Sequence, residues 1–189
     1  MSTTTTGSVT TSLRDNPAVR WAALLLLALA MFCSYIFMDI LSPVKELLEQ
    51  TRGWDSDTFG TYAGAETFLN VFIFFLIFAG IILDKMGVRF TALLSGGVML
   101  MGAAINWYAV TEAFACSGLN TWFTDHLNYV PGLHELGVSP FTATMPASAK
   151  FAALGFMIFG CGAEMAGITV SRGIVKWFKG KEMALAMGS

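Results

Sequence analysis

Asp39, Glu66 and Glu164 are single carboxylates, each set in a long run of apolar residues. An acid at the middle of a membrane helix costs roughly 2.5–3.5 kcal/mol on insertion scales, so it normally faces a cavity or a partner group. There it can load and release a proton, or hydrogen-bond a passing solute. Helical spacing puts each acid on a polar stripe: Tyr35, Asp39 and Ser42; Tyr62, Glu66 and Asn70; Gly160, Glu164 and Ser171. Each acid also has a plainer account. Asp39 lies just before Pro43 and fits a wet helix end, whereas Glu164 sits among glycines and fits a hydrogen bond to a neighbouring helix. Glu66 is the deepest of the three, and partial desolvation in a cavity would raise its pKa toward the physiological range. Asn106 fits a helix-to-helix contact.

The elements that position these groups follow from composition. Of 189 residues 55% are hydrophobic and 13% charged, too apolar to leave most side chains in water. A hydrocarbon core of ~30 Å takes ~20 helical residues. Four runs meet that length, at about 18–42, 58–83, 90–111 and 151–171. The fold class expected is therefore all-α, a polytopic transmembrane helical bundle. Residues 1–17, rich in Ser and Thr, read as a disordered cytoplasmic tail. Ala28 and Ala30 have the small-x-small look of a cleavage site, but the apolar run continues past them and the leader is poor in positive charge, so no secretory signal is expected.

The bases set the orientation. Arg14, Arg20, Lys85, Arg89, Arg172, Lys176, Lys179 and Lys181 flank one side of these runs, and Lys45, Arg52 and Lys150 flank the other. Because Lys and Arg accumulate on the cytoplasmic side, the N-terminus is expected there, with 112–150 as an outer segment.

Several functions lack support. The net charge of −2 and the absence of a basic patch with aromatics give no reason to expect nucleic acid. Asp125, His126, His134 and Glu135 lie close in sequence, but HELGV lacks the second His of a zinc-binding helix, so neither a metal nor a cofactor is expected. No nucleophile–base pair suggests an enzyme. Cys33, Cys116 and Cys161 are odd in number and imply no disulfide framework.

GIILDKMGVRF, residues 80–90, places Asp84, Lys85 and Arg89 between the second and third runs. A positive-inside turn would explain the two bases and not the acid. The stretch resembles the signature of the major facilitator superfamily at the same loop, Gly-x-x-x-Asp-(Arg/Lys)-x-Gly-(Arg/Lys)-(Arg/Lys). Gly80, Asp84, Lys85, Gly87 and Arg89 match, and Val88 departs. SRGIVKWFKGKEMALAMGS, residues 171–189, is similar to the loop after the fourth span in a branch that includes lysosomal dipeptide transporters and bacterial relatives. That branch often carries an Arg where Phe156 stands here, so no role of that Arg carries over.

The resemblance implies a twelve-span carrier in two six-helix halves. This chain would be the N-terminal part, with a fifth span starting at about 184 and the remaining spans as its partners in the bilayer. It also implies alternating-access transport of a small solute, possible coupling to protons, and a bacterial inner membrane. Spans one, two, four and five would line the cavity with span three outside. Asp84, with Arg89, would latch the halves on the inner face. The other reading, from a different class, is a four-helix membrane scaffold or partner subunit that transports nothing.

Overall fold

The computed structural model describes residues 16–131, 133, 135–178 and 183–188. Eight helices carry these residues: α1 (Pro17–Asp39), α2 (Lys45–Arg52), α3 (Ser56–Phe72), α4 (Phe75–Ala109), α5 (Glu112–Ala115), α6 (Gly118–Asp125), α7 (Ala147–Phe178) and α8 (Met183–Gly188). No strand occurs among them, and α1, α4 and α7 are long and apolar enough to cross a membrane. The expected tail falls almost entirely outside the described residues, as do Lys179, Lys181 and His134.

α1 begins on a cap. The Asn16 side chain accepts from the Ala18 N–H at 3.0 Å, and Pro17, whose missing N–H costs nothing in a first turn, starts the helix. α3 is capped in the same way by Asp55, which accepts from the Thr58 N–H at 2.8 Å. That backbone bond, together with the Thr58 hydroxyl, holds the Asp55 carboxyl below the usual carboxylate range.

The second run, expected as one span over 58–83, is two helical pieces. α3 stops at Phe72, and Phe74 takes left-handed backbone angles (φ 52°, ψ 39°) before α4 starts. A non-glycine residue there is costly. The surrounding VFIFF is rich in β-branched and aromatic residues, the weaker helix formers, and no glycine or proline marks the break.

α4 is interrupted in turn at Gly87, whose φ of 81° and ψ of 168° lie outside helical space. Only glycine adopts such angles freely. Residues 75–86 form a first arm and 88–109 a second. Close approaches give their directions. Gly102 packs against Gly155 and Phe159, and Gly162 against Met99 and Ser95, so the second arm runs antiparallel to α7. Tyr62 stacks on Phe156, Glu66 abuts Gly160 and Asp84 reaches Arg172, so α3 and the first arm run parallel to α7. Gly87 is therefore where the chain reverses, the short turn expected at this loop.

α7 is the hub. α1 lies antiparallel along it, with Phe37 on Phe159 at one end and Trp21 edge-on to Phe178 at the other. A Cβ on Gly102 would come within 2.5 Å of the Phe159 nitrogen, so this crossing requires a residue without a side chain. Without a hydrophobic drive between helices in lipid, such close backbone contact and van der Waals packing hold the bundle together. A buried hydrogen bond adds to them: the Tyr62 hydroxyl donates to Asn106 Oδ1 at 2.7 Å, joining α3 to the second arm of α4. Asn106 thus makes the helix-to-helix contact its sequence position suggested.

The outer segment contains α5 and α6 and folds over the N-terminal end of α7. Phe114, Phe123 and Ala147 form its own small core, with Tyr108 and Phe151 packed against them.

Candidate functional site: three membrane acids and the Gly87 turn

The three carboxylates come from three helices, Asp39 on α1, Glu66 on α3 and Glu164 on α7. Glu66, on α3, is half-buried against Gly160, where a methyl group would collide with the Glu66 carbonyl. Asp39 and Glu164 lie close enough to Glu66 to act on it electrostatically. Asp39 ends α1 two residues beyond Phe37, at the level of Phe159 rather than at the tip of α7. Tyr35 shares its face, and the two line a shallow groove with Phe32, Ile36 and Ile40. Glu164 is exposed on a helix that is otherwise the most buried, so the packing leaves α7 open at that point.

The rest of the α3 stripe divides. Tyr62 turns inward: it is 1% exposed, stacked on Phe156 at 4.8 Å and hydrogen-bonded to Asn106. It supports the packing beneath Glu66 instead of sharing its open face. Asn70, one turn beyond Glu66, has both amide atoms sequestered with no hydrogen-bond partner among the described residues. A buried amide left unpaired costs free energy.

Chemically the arrangement can exchange a proton or accept hydrogen bonds from a cationic or polar solute. Among the described residues, no three His, Cys, Asp or Glu side chains are grouped so as to hold a metal ion.

At the opposite end from the outer segment, Asp84 pairs with Arg172 of α7: Asp84 Oδ1 accepts from Nη1 at 2.7 Å. Arg89, the basic residue expected to act with Asp84, is exposed on the other side of Gly87, and Asp84 contacts Arg172 within this chain. The pair caps a cavity bounded by Leu83, Gly87, Val88, Val175 and Lys176. Both side chains are more than half exposed, so the pair is worth ~0–1 kcal/mol and can open readily. Gly80 lies one turn before Asp84, and Lys85 is exposed beside it.

Sequence reasoning missed two residues. Arg172 was read only as one of several bases after the fourth run, and Lys150 only as an outer-side base. No spacing signal identified either, because their partners, Asp84 and the α6 end, are remote in sequence. Compared with known proteins, the chain matches no family model, no curated protein and no solved structure.

Proposed function

We propose that this chain is part of a membrane transporter of the major facilitator type, moving a small solute by alternating access with proton coupling through Glu66. The observation that carries this reading is Glu66 of α3, half-buried against α7 at Gly160, with Asp39 of α1 and Glu164 of α7 near enough to act on it electrostatically. Each acid is expensive in a membrane, and three together are retained where they bind something that crosses. The Gly87 reversal, with Asp84 tied to Arg172, supplies the second part of a carrier: a weak contact at one end that can bias two states without deciding the fold. The face of α3 carrying Ser56, Gly60 and Gly64 is open, with nothing within 4 Å of a Cβ on either glycine. Small residues at four-residue spacing suit the close approach of another membrane helix, as the remaining spans of a full carrier require.

The test uses the full-length protein in liposomes with a trapped pH indicator, challenged in turn with small peptides, organic acids and sugars. At least one class should drive proton entry. Glu66→Gln keeps the shape and hydrogen bonding but cannot titrate. It should abolish uphill uptake driven by a pH gradient and leave counterflow exchange largely intact. Uphill uptake that survives with unaltered pH dependence removes Glu66 as the coupling site. Absence of flux with every class favours the scaffold reading.

A further inference from the structure

Apart from the three acids, a large apolar cavity lies at the end of the bundle that carries α2 and residues 112–150. It has a volume of about 500 Å³ and is walled by the end of α1, by α2, by the start of α3 and by the second arm of α4. Phe37, Leu48, Trp54 and Ala103 line it, with the Tyr62–Asn106 pair as a polar point whose hydrogen bonds are already made. A site of this size, apolar with one or two placed polar groups, has the proportions of a ligand pocket. Its rim is apolar and open: Leu47 is 58% and Trp107 71% exposed, and both belong to the lining. In a helical membrane protein such a rim faces lipid rather than water.

One charged side chain lines the cavity, Arg52 at the end of α2. Its Nη2 donates to Glu112 Oε1 at 2.8 Å, and Glu112 is 83% exposed, so the acid holds only one edge of the guanidinium. A guanidinium has five N–H donors in a fixed fork suited to phosphate, and Arg52 lines both this cavity and a smaller pocket beside α5. The acids of α2, Glu46 and Glu49, are exposed and do not line it.

We propose that this cavity is a lipid site: it takes one acyl chain of an anionic phospholipid from the leaflet at this end of the bundle, with the phosphate on Arg52. The commitment to an anionic lipid follows from the pairing of an apolar groove that opens toward lipid with a single cation at its mouth. The proposal does not depend on transport, since none of the three acids lines the cavity.

Trp54 provides the reporter, because it lines the cavity yet is 1% exposed, so bulk lipid does not touch its ring. With Trp21, Trp107, Trp122 and Trp177 replaced by Phe, the full chain is placed in nanodiscs containing brominated phosphatidylglycerol or brominated phosphatidylcholine. The expected result is stronger quenching of Trp54 by the anionic lipid. Arg52→Gln should erase that preference, and Ala103→Phe, which fills the cavity, should erase the quenching. Native mass spectrometry of the otherwise unsubstituted protein gives an independent reading if the multiple variant folds poorly. Phosphatidylglycerol should survive detergent exchange as an adduct, with about ten- to a hundredfold less retained on Arg52→Gln, the loss of one charge-assisted contact. Equal quenching by both lipids, or quenching and adduct unchanged in Ala103→Phe, overturns the proposal. So does disulfide crosslinking of Leu47→Cys between two copies with no lipid adduct, which assigns the groove to a protein contact.

Discussion

Lys150 sits in the first turns of α7, where the helix dipole disfavours a cation, and is nevertheless only 1% exposed. Its ammonium donates to the Phe123 carbonyl at 3.2 Å and to Asn128 Oδ1 at 2.7 Å, with no carboxylate paired to it among the described residues. The Phe123 carbonyl is one of the last four of α6, which have no partner within their own helix. Lys150 therefore closes the end of α6 and ties the outer segment to the hub. Lys150→Met should cost about 1–3 kcal/mol, the penalty of leaving buried acceptors unmet. Hydrogen exchange should accelerate over 118–130 and change little over 95–106 and 152–163. An equal loss of protection in both regions would make Lys150 a support of the whole core instead. The three acids were legible in sequence because a charge in an apolar run stands out by its cost alone. Tyr62 was not placed correctly by the same stripe. Positions four apart on a helix differ by about 40° in direction, and that difference puts Tyr62 against Phe156 while Glu66 stays half open.

At the scale of elements, the turn at 84–90 was legible and the break at Ile73–Phe74 was not. Gly87 announces a reversal by its own chemistry, with charges on both sides that refuse the hydrocarbon. Phe74 has no such signature: neither glycine nor proline marks its left-handed turn. The Asp84–Arg172 pair ties the reversal to α7, and its exposure makes it a switchable contact rather than a pillar. Asp84→Asn should thus slow solute uptake several-fold while lowering thermal stability by no more than ~1 kcal/mol. Exchanging the two charges, Asp84→Arg with Arg172→Asp, should restore part of the rate. If the single variant lowers abundance and rate in proportion, the pair is a folding contact and the switching role is lost.

For the whole molecule, the antiparallel order of α1, of α3 with the first arm of α4, of the second arm, and of α7 fixes which chain ends are neighbours. The start of α1, the Gly87 turn and the end of α7 lie together, as the contact of Trp21 with Phe178 and that of Asp84 with Arg172 require. Arg20, Lys85, Arg89, Arg172 and Lys176 therefore gather at one end, whereas Lys45, Arg52 and Lys150 belong to the other. Sequence runs alone led to the same partition, because charge flanking an apolar run is visible without knowing how the helices pack. Which end faces the cytoplasm follows only from the positive-inside rule, and that is open to direct measurement. Cys116 is exposed in the outer segment and serves as a natural reporter for its end. In intact cells a membrane-impermeant maleimide should label wild-type Cys116. In a Cys33→Ser, Cys116→Ser background, Lys85→Cys should label only after the membrane is opened; Cys161 is buried. Labelling of Lys85→Cys and not Cys116 in intact cells would invert the orientation while keeping the fold. Labelling of both from outside would mean that the two ends of the bundle do not face opposite sides of a membrane, and the reading of α1, α4 and α7 as membrane-crossing helices would fall with it.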